Sequence, residues 1–244
     1  MPKVRLDQLL VQRGLCDSRE QAKRLILAGE VLCDTLPQLK PGLPVPEDLP
    51  LTLRNRPKYV GRGGEKLEGA LDHFAISVAG RIAVDIGAST GGFTDCLLQR
   101  GALRVHAFDV GTNQLAWKLR QDPRVISREN FNCRSLSPAD TGELAGIVVI
   151  DVSFISLTKI LPAAFSVLAP AGDLVCLVKP QFELTRGEVG KGGIVRDDDL
   201  RLKTLEKIQT FVSQDLNKSW RGAMESPISG SDGNREFLAW AGHG

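Results

Sequence analysis

From residue 82 to residue 179 short apolar runs alternate with helical stretches: IAVDIG, a helix from Gly92 to Arg100, RVHAFDV, RVIS, GIVVID, a helix near 157–168, and DLVCLVK. Apolar runs of strand length, separated by helices, build a parallel sheet covered on both faces. The fold class is therefore α/β, a Rossmann-like, doubly wound and mostly parallel sheet. WRGAMESPI and REFLAW add a terminal antiparallel pair.

The amino-terminal part is organised differently. Leu6, Leu9 and Leu10 share one helical face, Gly14 suits a helix stop, Ser18 and Gln21 make a capping pattern, and Gly29 ends a second helix. Prolines at 37, 41, 44, 46, 50 and 57 preclude a helix or a central strand and mark short strands and turns. The basic segment RNRPKYVGRGGEK then precedes a helical pattern through Leu67, Ala70, Leu71 and Phe74. These shifts predict a small α+β domain over residues 1–55, a linker over 56–63 and the α/β domain over 64–244.

In doubly wound sheets ligands bind beyond the carboxyl ends of the strands, at the topological switch. AVDIGASTGGFTD, Ala83 to Asp95, is the loop to examine. Glycines at 87, 91 and 92 let a ligand approach the backbone, and the helix opening near Gly92 offers free N–H groups. The spacing is not GxGxxG, which disfavours a dinucleotide. Asp109, ending the second strand, suits the two hydroxyl donors of a ribose.

An acid ahead of the glycines, an acid after the second strand and no Walker lysine resemble the S-adenosylmethionine-dependent methyltransferases. The resemblance implies S-adenosyl-L-methionine as cofactor, with Asp85, Gly87, Ala88, Ser89, Gly91, Gly92, Phe93, Asp109 and Asn132 as its contacts. Four more residues bear on the chemistry: Lys66 in GRGGEKLEGAL, Asp151 in VVIDVSFISL, Lys179 in CLVKPQFE and Glu236 in GSDGNREFLAW. Lys179 follows a buried apolar run directly, where a lysine is uncommon without a partner. The other three each have an ordinary explanation as a surface lysine, a helix cap and an exposed strand residue. Together they resemble the Lys-Asp-Lys-Glu tetrad of FtsJ-type RNA 2′-O-methyltransferases.

The wider sequence is similar to the TlyA (hemolysin A) family, through RLDQLLVQRGLCDSREQAKRLILAGEV, YVGRGGEKLEGAL, DIGASTGGFTDCLL, DVSFISL, LVKPQFE, GKGGIVRD and SPISGSDGNREFL. That resemblance implies an RNA-binding domain of the ribosomal-protein S-four type joined to a class I methyltransferase that modifies cytidine riboses in ribosomal RNA. Ribosomal RNA or ribosomal subunits are then the partners. A ribose hydroxyl must lose its proton as it attacks the methyl, and a lysine serves as base when a neighbouring cation and burial favour its neutral form. Candidate RNA contacts are Arg5, Arg19, Lys23, Arg24, Arg62 and Lys191, the last in the glycine-bearing loop ELTRGEVGKGGIVRD. For the second helix and this loop a solvated surface is the competing reading.

Composition removes other classes. The net charge of +2 confines any nucleic-acid footprint to local patches. Five cysteines without CxxC spacing and three scattered histidines predict reduced thiols and no metal site. The first residues lack a signal-peptide core and no window approaches a membrane span, so a cytoplasmic protein is expected. A membrane-active cytolysin and a catalytically silent ribosome-assembly factor are the alternatives. The first wants an amphipathic or spanning segment and the second does not need the tetrad.

Overall fold

The computed structural model describes Lys3 to Gly244 apart from Asp17, Asp34, Thr35, Pro37, Asn55, Arg56, Arg186, Ser231 and the side chain of Lys191. The chain forms two compact units, one up to Lys58 and one from Tyr59. This division falls inside the stretch 56–63 expected as a linker, and Tyr59 is already buried in the core of the larger unit.

In the small unit, helices α1 (Leu6–Gln12) and α2 (Arg19–Leu27) lie beside two short antiparallel pairs. Strand β1 (Lys3–Arg5) pairs with β3 (Pro44–Pro46), and β2 (Val31–Leu32) with β4 (Thr52–Leu53). The prolines of β3 are tolerated because a two-stranded pair leaves edge positions free of ladder bonds. Gly14 and Gly29 take positive φ after their helices, and the Ser18 hydroxyl accepts from Gln21 N at 3.2 Å. Leu6, Leu9, Leu10, Ala22, Ile26 and Val45 form the core.

The larger unit is built on a seven-stranded sheet. Its strands are β5 (Ile82–Ile86), β6 (Arg104–Phe108), β7 (Val125–Arg128), β8 (Ala145–Ile150), β9 (Leu168–Val178), β10 (Ser219–Glu225) and β11 (Phe237–Gly242). They lie in the order β10-β11-β9-β8-β5-β6-β7. The five from β5 to β9 are parallel, while β11 is antiparallel to both β9 and β10. The chain runs outward from β5 in one direction through β6 and β7, then returns to β8 on its other side. The loops leaving β5 and β8 therefore diverge, and a crevice opens between them.

Helix α3 (Gly63–His73) buries Leu67, Ala70 and Leu71 against one face, with α4 (Gly92–Gln99) beside it. The helix at Leu161–Ser166 and the long helix at Asp198–Thr210 cover the other. No helix among the described residues is long and apolar enough to cross a membrane.

At the foot of the sheet, opposite the crevice, Asp173 accepts hydrogen bonds from Arg81 Nη1 (2.7 Å), Arg221 Nη1 (2.7 Å) and Trp240 Nε1 (2.9 Å). One buried carboxylate thus ties β9, β10, β11 and the entry to β5 together. Asp173→Ala leaves two guanidinium groups without their anion, and the expected cost is about 2–3 kcal/mol. Chemical denaturation of the larger unit measures it.

Candidate active site

Gly87 follows β5 with φ +86°, and a Cβ there would overlap the main-chain carbonyl oxygen of Asp151. Its amide and that of Ala88 both donate to Phe108 O, at 2.9 and 3.0 Å. Asp151 N in turn donates to Ile86 O at 2.9 Å, so the exits of β5, β6 and β8 are stitched side by side. Ser89 N donates to Asp109 Oδ2 at 2.7 Å and Gly111 N to Oδ1 at 2.6 Å, which fixes the carboxylate of the second acid. The turn Gly61–Gly64 leans on the start of α4, where a Cβ on Gly92 would meet Gly64 N at 3.0 Å and Gly61 O at 3.1 Å.

Three adjoining cavities lie along this edge. One of about 570 Å³ is lined by Gly87, Ser89, Asp109, Val110, Phe131 and Asn132 among others. A smaller one, about 200 Å³, is bounded by Gly61–Gly63, the loop Gly87–Thr90 and Phe93. The third, about 450 Å³, is lined by Lys66, Asp151, Lys179 and Glu236. Asp151, Ser153 and Lys179 border the second and third alike.

Residues distant in sequence thus meet at one place. Lys66 Nζ lies 2.6 Å from Glu236 Oε2, and both side chains are under 10% exposed. Lys179 Nζ lies 2.5 Å from Asp151 Oδ1 and 3.1 Å from Ser153 Oγ. Each ammonium has its own carboxylate, Glu236 for Lys66 and Asp151 for Lys179. A Cβ on Gly230 would stand 2.6 Å from Glu236 Oε1, so that glycine leaves room for the carboxylate.

The FtsJ-like methyltransferase family matches residues 59–243. The chain belongs to that family. Residues 4–49 match the S4 domain. The 16S/23S rRNA (cytidine-2′-O)-methyltransferase TlyA of Mycobacterium tuberculosis is 47% identical over 240 residues, covering 98% of this chain and 89% of that one. Hemolysin A of Brachyspira hyodysenteriae is 45% identical, covering 97% of this chain and 98% of its own. A solved structure described as a hemolysin from Streptococcus thermophilus is 49% identical, with TM-score 0.75, covering 99% of this chain and 88% of that one.

Within this FtsJ-like unit not every expected cofactor contact reaches a cavity. Gly87, Ala88, Ser89, Gly92, Phe93, Asp109 and Asn132 line one. Asp85 and Gly91 do not. Gly91, at φ +97°, is a glycine because Leu115 and Leu119 press on its α-carbon. Asp85 is fully buried beneath the loop, where its Oδ2 accepts from Thr94 Oγ1 at 2.6 Å and its Oδ1 has no hydrogen-bond partner.

The basic residues divide as well. Arg5 and Arg19 both donate to the buried Asp7, at 3.0 and 3.1 Å, and remain about half exposed. Their guanidinium groups, which hold Asp7 down to about 2, are anchored. Lys23 and Arg24 are exposed. Arg62 donates to Ser229 O at 2.9 Å and borders the third cavity. The Lys191 side chain lies outside the described residues. Its loop is not loose: Asn234 accepts from Val195 N and donates to Gly193 O, both at 2.9 Å.

Sequence reasoning passed over Ser153, Phe131, Thr94 and Glu183. Ser153 stands two residues after Asp151, a spacing that places both on one side of an extended exit, and this was the available signal. Among the described residues no group of three or more His, Cys, Asp or Glu is placed to hold a metal. Cys176 is buried within β9 and its thiol is pushed up to about 12 by burial, which denies it the role of a thiolate nucleophile.

Burial pushes Asp85 up to about 7, against the Thr94 hydrogen bond and with the carboxylates of Asp151 and Asp109 adding to the rise. Folding favours its protonated form. The stability it supplies is complete below about pH 4 and is lost as the pH climbs to about 7, at roughly 1.4 kcal/mol per pH unit. Wild-type stability relative to Asp85→Asn is therefore expected to fall across that window and level off above it. Urea titrations at about pH 4, 6 and 8 test this, and a difference independent of pH counts against it.

Proposed function

We propose that the protein is an S-adenosylmethionine-dependent ribosomal RNA methyltransferase that modifies the ribose 2′-oxygen of cytidine. The observation that carries this reading is the meeting of Lys66, Asp151, Lys179 and Glu236 around one cavity, next to the loop cradle after β5. The curated relative from Mycobacterium tuberculosis bears that activity in its name.

The cradle suits S-adenosylmethionine. Asp109 and Asn132 border a space large enough for a nucleoside, and the glycine turns keep side chains out of the channel toward Lys179. When bound, S-adenosylmethionine supplies an electrophilic methyl group. The protein's part is to aim the ribose oxygen at it in line and to remove the hydroxyl proton. In this reading Lys179 first gives up a proton to solvent, and its neutral Nζ, held by Asp151 and Ser153, takes the hydroxyl proton as the oxygen–methyl bond forms and the methyl–sulfur bond breaks. Lys66 and Glu236 orient the acceptor from the far wall. Close positioning of oxygen and methyl supplies much of the rate.

Residues 1–55 serve as the RNA-binding domain and 64–244 as the catalytic domain. Lys23 and Arg24 offer exposed charges for phosphate, with Lys191 and Arg62 contributing from the larger unit. Their contribution is electrostatic and falls with salt.

Lys179→Ala is expected to lower transfer to ribosomal subunits by about 10²–10⁴-fold while calorimetry finds S-adenosylmethionine binding nearly unchanged. Retained turnover rejects the assignment. Mapping of ribose methylation in ribosomal RNA from cells with and without the gene locates the product. The absence of any lost 2′-O-methyl group rejects the function.

A further inference from the structure

The segment that leaves β8 carries Asp151 and Ser153 to Lys179, and its backbone is under strain. Phe154 takes φ +64° with its ring 90% exposed. For a residue with a Cβ that conformation is costly and persists only where surrounding contacts over-determine it. At its start the segment is held by Asp151 N on Ile86 O. At its far end Leu157 is buried in the core, and Ser156 Oγ and Leu157 N both donate to one carboxylate.

Glu183 lies four residues after Lys179, in the short helix Pro180–Glu183, and its side chain is 1% exposed. Its Oε2 accepts from Ser156 Oγ at 2.6 Å, and its Oε1 from Leu157 N at 2.7 Å. Lys207 Nζ, 3.2 Å from Oε2, balances the charge and also donates to the Glu183 carbonyl at 2.7 Å. Hydrogen bonds to a buried carboxylate are among the strong ones. The same helix thus anchors the strand end that bears Lys179 and the segment that bears its two partners.

We infer that Glu183 is a positioning residue for methyl transfer: by clamping Ser156 and Leu157 it keeps the strained 151–157 segment in the register that sets Asp151 and Ser153 on Lys179 Nζ. The inference rests on the function proposed above. Glu183 touches neither the donor nor the acceptor. Its loss lets the Phe154 turn relax and removes Asp151 from Lys179 for part of the time, which lowers the rate of transfer without emptying the donor cradle.

Full-length protein, methyl-labelled S-adenosylmethionine and ribosomal subunits from cells lacking the gene provide the test. Glu183→Ala is expected to slow single-turnover transfer by roughly tenfold to a hundredfold, with donor affinity held within about threefold. Glu183→Gln, which keeps an acceptor for Leu157 N, restores most of the rate. Ser156→Ala slows transfer by about three- to tenfold and adds nothing to Glu183→Ala. Three results overturn the inference: wild-type rate in Glu183→Ala, parallel loss of donor binding and transfer, or additive losses in the double variant. Should Glu183→Ala fail to fold, a wild-type rate in Ser156→Ala overturns it equally. Wild-type protein that binds donor but modifies no ribose overturns the function itself, and this role with it.

Discussion

The contact of the Gly87 α-carbon with the Asp151 carbonyl is the constraint on which the site is built. It sits where the chain reverses its progress across the sheet, the one edge position where two neighbouring strands send their loops apart. With any side chain at 87 the loop after β5 would be displaced from the exit of β8. The donor cradle belongs to the first of these loops and the Asp151 carboxylate to the second. A reaction between a bound donor and an acceptor held near Asp151 therefore depends on two backbones lying closer than a methyl group allows.

Around that contact the protein buries charge, which is expensive. An isolated ammonium or carboxylate removed from water costs several kcal/mol, and an ion pair seldom recovers more than it loses. Lys66 and Glu236 are separated by 170 positions and are supplied by α3 and by the turn before β11. Apolar residues of similar size would hold α3 to that turn at least as well. The pairs are better understood as chemistry retained at a cost in stability, which the large apolar layers on both faces of the sheet and the Asp173 clamp offset.

The alternation of apolar runs was enough to derive the sheet, its parallel core and the terminal antiparallel pair, because strand period and helix period are properties of local sequence. Lys179 was conspicuous for a similar reason: a charge straight after LVCLV has few places to go. What the sequence concealed depends on three-dimensional proximity. Gly87 and Gly91 look alike in DIGASTGG, yet one makes room for Asp151 and the other for Leu115 and Leu119. Arg5 and Arg19 read as free cations until Asp7, buried in α1, is seen to hold both. Glu183 reads as one more polar residue after a strand, and only the folded chain brings Ser156 and Leu157 onto it. The Glu183–Asp197 loop reads equally as an RNA contact or a solvated surface, and its tie to Asn234, in the turn that precedes Glu236, shows only in the folded chain.

Electrostatic balance at the cradle also bears on what it binds and releases. Asp109 and Asp85 stand on either side of the glycine loop, and no described ammonium or guanidinium group forms an ion pair with either. Asp151, which does have Lys179, still adds to the rise of Asp85, as does Asp109. A carboxylate at the wall of a cleft favours a cation beside it, and more strongly than it would in water. A sulfonium donor carries that charge and the thioether left after transfer does not. Of the two acids it is Asp109 that borders the cavity and is placed to meet that charge, while Asp85, buried beneath the loop and favoured in its protonated form, acts on the fold rather than on the ligand.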